Sequence, residues 1–146
     1  MHDILVEQIK QEVTKHGVQE LRTPQEVDSL LTQTKGTALI FVNSVCGCAG
    51  GVARPALIHA MKHTIKPDVI ATVFASTDRD ATMRAREYFT GMPPSSPSFA
   101  LLKDGRLLHM IHRSEIEISD PSEVAKMLTD AFEKYCQAPA IEIHSN

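Results

Sequence analysis

An apolar, β-branched run from Thr37 to Val42 is followed within a few residues by two cysteines separated by one glycine, Cys46-Gly47-Cys48. A continuous run of that kind predicts a central strand buried on both faces. Beyond the cysteines, Val52 to His63 carries Leu57, Ile58 and Met61 on one apolar side, which predicts a helix. The thiol pair therefore stands at a strand-to-helix junction. A helix N-terminus carries partial positive charge and unpaired N–H groups, and both favour a thiolate over a thiol. The thiolate is the nucleophile in disulfide exchange. The junction points to a thiol-disulfide enzyme with Cys46 attacking and Cys48 resolving.

The flanking sequence alternates in type. Ile4, Leu5, Ile9 and Val13 predict a helix over 3–16, with Gly17 as its stop, and Val18 to Leu21 reads as extended. Thr23-Pro24-Gln25-Glu26 is a helix start: Thr23 caps, Pro24 suits the first turn and Glu26 reaches back. Pro55 lies within the helix after the cysteines and is expected to bend it. Val69 to Ala75 predicts a second strand, and Asp78 or Asp80 caps a helix ending near Phe89 and Gly91. Met92 to Pro97 excludes regular structure. Ser98–Leu102 and Arg106–Ile111 then read as strands joined by a tight reversal at Asp104-Gly105. Asp120-Pro121-Ser122-Glu123 opens a last helix, with Cys136 at its end. The order α, β, α, β, α, β, α, β, β, α predicts an α/β fold: a central mixed sheet with helices on both faces. One domain over 1–146 is expected, with 137–146 as a loosely held tail.

Net charge of −3 gives no electrostatic basis for binding nucleic acid or anionic membrane. No apolar run approaches the roughly 18 residues of a spanning helix. The start, Met1-His2-Asp3-Ile4, lacks the basic and apolar blocks of a signal peptide, so a cytoplasmic setting is expected. There, three cysteines are catalytic, metal-binding or incidental rather than a disulfide framework.

A strand, Cys46 and Cys48, a proline-bent helix, Ser96-Pro97 before a strand and hairpin, and a final helix together resemble the thioredoxin fold, here with an extra N-terminal helix. That resemblance implies a cis Pro97 lying against the reactive cysteine. It also implies that Ser96 offers backbone groups to an extended substrate, as in strand addition. The finer motifs are Asn43-Ser44-Val45-Cys46-Gly47-Cys48, Ala53-Arg54-Pro55-Ala56, Arg86-Glu87-Tyr88-Phe89-Thr90-Gly91 and Pro94-Ser95-Ser96-Pro97-Ser98. Together they resemble the bacilliredoxins, the small CGC-motif family, over nearly the whole chain. The resemblance implies removal of bacillithiol from S-bacillithiolated cytoplasmic proteins. Cys46 would attack the mixed disulfide and hold bacillithiol on its own sulfur, and Cys48 or a second thiol would resolve it. Bacillithiol, or another low-molecular-weight thiol, would be a co-substrate, with no tightly bound cofactor. The chain departs from ordinary thioredoxins in its C-x-C spacing, in having no acidic residue in Ala38 to Val42, and in lacking tryptophan. Reduction by a thioredoxin reductase is accordingly not implied.

Around the cysteines several alternatives stand side by side. In a regular helix Cys46 and Cys48 point to different sides, so Cys48 either bridges with strain, helped by the freedom of Gly47, or packs inward. Asn43 and Ser44 either contact a thiolate or substrate or serve as strand-end turn residues. Gly50 and Gly51 either admit a bulky thiol or loosen the first helical turn. Arg54 either attracts the carboxylates of a small acidic thiol or is a solvated surface arginine. A general protein disulfide reductase or isomerase would use the same Cys46 and Pro97. A metal or iron–sulfur module would need Cys46, Cys48 and Cys136 plus a fourth ligand that is not evident. His109 and His112 face opposite sides of a strand and suggest no zinc pair, so no metal is expected.

Overall fold

The run at Thr37 becomes the middle strand of a five-stranded sheet, and the rest of the chain is wrapped about it. In the computed structural model, which describes residues 2–137, the elements are α1 (His2–Thr14), β1 (Gln19–Glu20), α2 (Pro24–Gln33), β2 (Thr37–Asn43), α3 (Arg54–Ala60), β3 (Val69–Phe74), α4 (Arg79–Tyr88), β4 (Ser98–Lys103), β5 (Arg106–Ile111), α5 (Arg113–Ile116) and α6 (Pro121–Tyr135). The strand order is β1-β3-β2-β4-β5. β2 pairs parallel with β3 and antiparallel with β4, while β4 and β5 form the antiparallel hairpin. The expected loose tail over 137–146 falls, but for Gln137, outside the described residues.

Every residue of β2 is buried, because both faces of the sheet are covered. Strand alternation divides its side chains between two cores. Leu39 and Phe41, with Phe99 and Leu101 of β4, meet Leu57 of α3 and Leu128 and Phe132 of α6. Ala38, Ile40 and Val42 meet Val27 and Leu31 of α2 and Ala81 and Ala85 of α4. Phe41 and Phe99 are register partners, and their rings stack with centroids 4.8 Å apart. This alternation has a consequence for the site. Asn43 is in phase with Leu39 and Phe41, so it belongs to the face covered by α3.

Both expected helix starts are capping boxes, at Thr23 with Glu26 and at Asp120 with Glu123. The Asp104-Gly105 reversal has φ of 51° and 78°, the left-handed pair that a two-residue hairpin turn needs. Three local expectations are corrected. Val18–Leu21 shrinks to a two-residue strand at the sheet edge. Asp78 occupies the N-cap of α4, but its side chain makes no cap bond; the carboxylate accepts from the buried Lys10 Nζ at 2.6 Å instead. The helix after the cysteines is not a uniform α-helix bent at Pro55. It begins at Gly47, widens into a π-helical turn over Ala49–Ala53 and resumes as α3 with Pro55 in its first turn. Pro55 lies where the winding passes from π to α, and its missing N–H leaves one place in the ladder unfilled at that change. The short helix α5 was not anticipated.

Candidate active site

The site is assembled from three chain segments at the end of β2. Asn43 closes the strand with its side chain 1% exposed. Its Oδ1 accepts the Ser44 N–H at 2.8 Å and Arg54 Nη1 at 2.9 Å. The same Arg54 nitrogen donates to the Ser44 carbonyl at 2.8 Å, and Arg54 Nε donates to Glu12 of α1 at 2.8 Å. Ser44 is thereby fixed at both its backbone groups. Its Oγ lies 3.2 Å from Cys46 Sγ and accepts the Cys46 N–H at 3.4 Å. Val45 N–H is held by Ser76 Oγ of the segment after β3, at 3.2 Å.

Cys46 stands at the cap position of the helix that starts at Gly47, and its carbonyl accepts the Gly50 N–H at 3.1 Å. Ser, Thr, Asp and Asn at such a position turn a side-chain oxygen onto the second or third N–H of the helix. Here the backbone N–H groups of Ala49 and Cys48 lie on the side of the sulfur and favour its charged form. Burial works against ionisation of this thiol. The Ser44 hydroxyl, those two N–H groups and the positive charge of Arg113 outweigh it, and hold Cys46 below the ordinary cysteine range. Cys48 is half-buried on the first turn, and both thiols are free.

The third segment is the loop before β4. The Ser96–Pro97 peptide bond is cis, as the thioredoxin resemblance implies, and Pro97 is buried. Two arginines hold the loop. Arg86 Nη2 of α4 donates to the Ser95 carbonyl at 3.3 Å, and Arg113 Nη1 of α5 donates to the Ser96 carbonyl at 3.2 Å. The charge of Arg113 also acts on both Cys46 and Cys48. Arg113 donates to the proline loop, and its charge favours the Cys46 thiolate.

Of the residues singled out in the sequence, Asn43, Ser44 and Cys46 form one hydrogen-bonded unit with Arg54. The expectation for Arg54 is corrected in both its forms. It is neither a solvated arginine nor a group facing the thiols, because its side chain is 6% exposed and each bond it makes runs inward or to α1. Its part is to position Asn43 and Ser44. Gly50 serves that arrangement, since a Cβ there would stand 2.7 Å from Arg54 Nη2. A Cβ at Gly47 or Gly51 would meet nothing within 4 Å. Arg113 was missed by sequence reasoning, yet hairpin register contains the clue. With Phe99 opposite Ile111, counting two residues outward sets Arg113 opposite Pro97.

Cys136 is buried against Thr37 and Asp68. Burial raises its thiol above the ordinary range, Asp68 adds to this, and the Thr37 hydrogen bond only partly offsets it. Thr37 opens β2 while the motif follows its other end, a separation of about 20 Å at strand rise. The three cysteines therefore do not converge, and among the described residues no cluster of three metal-ligating groups occurs. Nor, among them, is any helix long and apolar enough to cross a membrane.

The model of the family described as disulphide isomerase matches residues 1–136. A bacilliredoxin of Geobacillus kaustophilus is 52% identical over 137 residues, 94% of each chain. A bacilliredoxin of Staphylococcus aureus is 51% identical over 133 residues, 91% of each. Among solved structures, the oxidised thioredoxin of Plasmodium falciparum superposes with a TM-score of 0.59 at 19% identity, over 83% of this chain and all of that one. The oxidised mitochondrial thioredoxin 3 of Saccharomyces cerevisiae gives 0.55 at 21% identity, over 82% and 98%. These likenesses show a thioredoxin fold.

Proposed function

Because the chain belongs to the bacilliredoxin family and is a thiol-disulfide oxidoreductase of thioredoxin fold, we propose that it removes bacillithiol from S-bacillithiolated cytoplasmic proteins. The observation that carries this reading is the environment of Cys46: one hydroxyl, two backbone N–H groups and one guanidinium favour its thiolate. The thiolate attacks the bacillithiol sulfur of the mixed disulfide. A Cys46–bacillithiol disulfide forms, and the client sulfur leaves with the electron pair and takes a proton from solvent. The client is reduced and Cys46 oxidised. Either Cys48 then attacks Cys46 and releases bacillithiol, or a second bacillithiol attacks the bound one and leaves as oxidised dimer. The small thiol is a co-substrate, and no tightly bound cofactor enters the sequence of steps.

The test is release of bacillithiol from a thiolated client by the Cys46→Ser variant. Release should stop, and full activity in that variant would remove the assignment. The family description supports a second reading, a general protein disulfide reductase or isomerase. Turnover of a bacillithiol mixed disulfide against that of scrambled protein disulfides separates the two, because the general enzyme would show little preference for the former.

A further inference from the structure

Counting two residues outward from the antiparallel pair Val42–Ser98 sets Ser96, the residue before Pro97, opposite Ser44, whose Oγ lies 3.2 Å from Cys46 Sγ. The Ser96 carbonyl has a charged donor. Arg113 Nη1 donates to Ser96 O at 3.2 Å, and the Arg113 backbone N–H reaches Ser95 Oγ at 3.5 Å. The guanidinium is anchored on its other edge by Glu117, which Nε contacts at 3.2 Å. The side chain nevertheless remains 45% exposed, and its charge acts on both sulfurs. Arg54, the other arginine near the motif, is turned inward, with Nε on Glu12 and Nη1 on Asn43 and Ser44.

We propose that Arg113 is the specificity-determining residue of this site: from its seat on the Ser96 carbonyl it presents a cation beside the thiol motif to the carboxylates of a small anionic thiol. The inference rests on the function proposed above and adds the residue that makes the choice. The thiol is selected by its charge, either as the half of the mixed disulfide that Cys46 captures or as the incoming thiol that resolves the adduct. An arginine suits this role better than a lysine, because its planar fork can keep one nitrogen on Ser96 O while another faces a carboxylate.

The experiment uses the full chain and three mixed disulfides of one fluorescent peptide, carrying mercaptosuccinate, 2-mercaptoethanol or cysteamine. Second-order rates of peptide release are measured for the wild type, Arg113→Ala and Arg113→Lys, at low and high salt. The readout is the ratio of the mercaptosuccinyl rate to the hydroxyethyl rate, each first divided by the rate at which free 2-mercaptoethanol releases the same peptide, so that the intrinsic reactivities of the two disulfides cancel. It cancels any change in the thiolate fraction of Cys46, and so would not move if Arg113 merely tuned that thiol or held the loop. The wild type should favour the anionic adduct by about threefold or more at low salt, less at high salt, and disfavour the cysteamine adduct. Arg113→Ala should bring the ratio to about one, while Arg113→Lys should keep part of the charge preference. A wild-type ratio near one, or a ratio unchanged in Arg113→Ala, overturns the inference and leaves the proposed function standing. Absence of any small-thiol adduct on Cys46 in the Cys48→Ala variant, by mass spectrometry, overturns both.

Discussion

Ser44 Oγ is the group whose loss acts most directly on the nucleophile. It is buried, oriented by backbone bonds from Arg54 and Asn43, and set 3.2 Å from Cys46 Sγ. A hydrogen bond to an ionised group contributes about 1.5–3 kcal/mol. Part of that gain returns as lower nucleophilicity, because a less basic thiolate attacks more slowly. Ser44→Ala should therefore move the ultraviolet thiolate titration of Cys46 to higher pH and slow its alkylation at neutral pH by roughly threefold to tenfold. The same thiol links stability to pH. Its folded pKa lies below its unfolded one, so its contribution is fully present above the ordinary value of 9.0 and is lost as pH falls through the folded value. The melting temperature of the wild type minus that of Cys46→Ser should rise with pH across that window and be flat below it. Cys46 was legible in the sequence because its chemistry is local: a cysteine before a helix. Arg54 was not, because an arginine two turns along reads as surface until α1 and the strand end are placed around it.

The π-helical turn is the element that reconciles the motif with Pro55. It widens the winding between the cysteines and α3, and Gly50 within it leaves room for the Arg54 guanidinium. Two adjacent glycines therefore differ in role. Gly51→Ala meets open space and should stabilise the chain by about 0.5–1 kcal/mol, the ordinary gain of alanine in a helical segment. Gly50→Ala should lose that gain by displacing Arg54 Nη2, and should also shift the Cys46 titration, which Gly51→Ala should not. Arg54→Met should cost about 2–3 kcal/mol, since it leaves the Ser44 carbonyl buried without its donor and removes one of two donors from Asn43 Oδ1. Denaturant midpoints at constant slope would measure all three. Apolar periodicity and capping residues made β2, α2, α6 and the hairpin legible. The π turn and α5 were not, because a glycine pair and four polar-rich residues carry no periodic pattern.

At the scale of the molecule, the two cores fix β2 from both faces and deliver its end to the loop before β4. Helix α1 is tied to this end twice, by Lys10 to Glu20 and Asp78 at 2.9 and 2.6 Å, and by Glu12 to Arg54 at 2.8 Å. The strand-helix alternation announced the layers and the mixed sheet. It did not announce that the strand order brings Arg113 across to the motif, because that contact depends on hairpin register rather than on any one segment. Cys136 lies at the other end of β2, so Cys136→Ser should keep full exchange activity, and alkylation should reach Cys46 well before Cys136. In the proposed cycle Cys46 attacks and carries the small-thiol adduct, and Cys48 resolves it where no second bacillithiol is supplied. Intact-mass and peptide mass spectrometry of the wild type and of Cys48→Ala after exposure to oxidised bacillithiol tests it most directly. We expect a lasting adduct on Cys46 in Cys48→Ala, replaced in the wild type by a Cys46–Cys48 disulfide with release of bacillithiol; an adduct on Cys48, or none on Cys46 in Cys48→Ala, would overturn it.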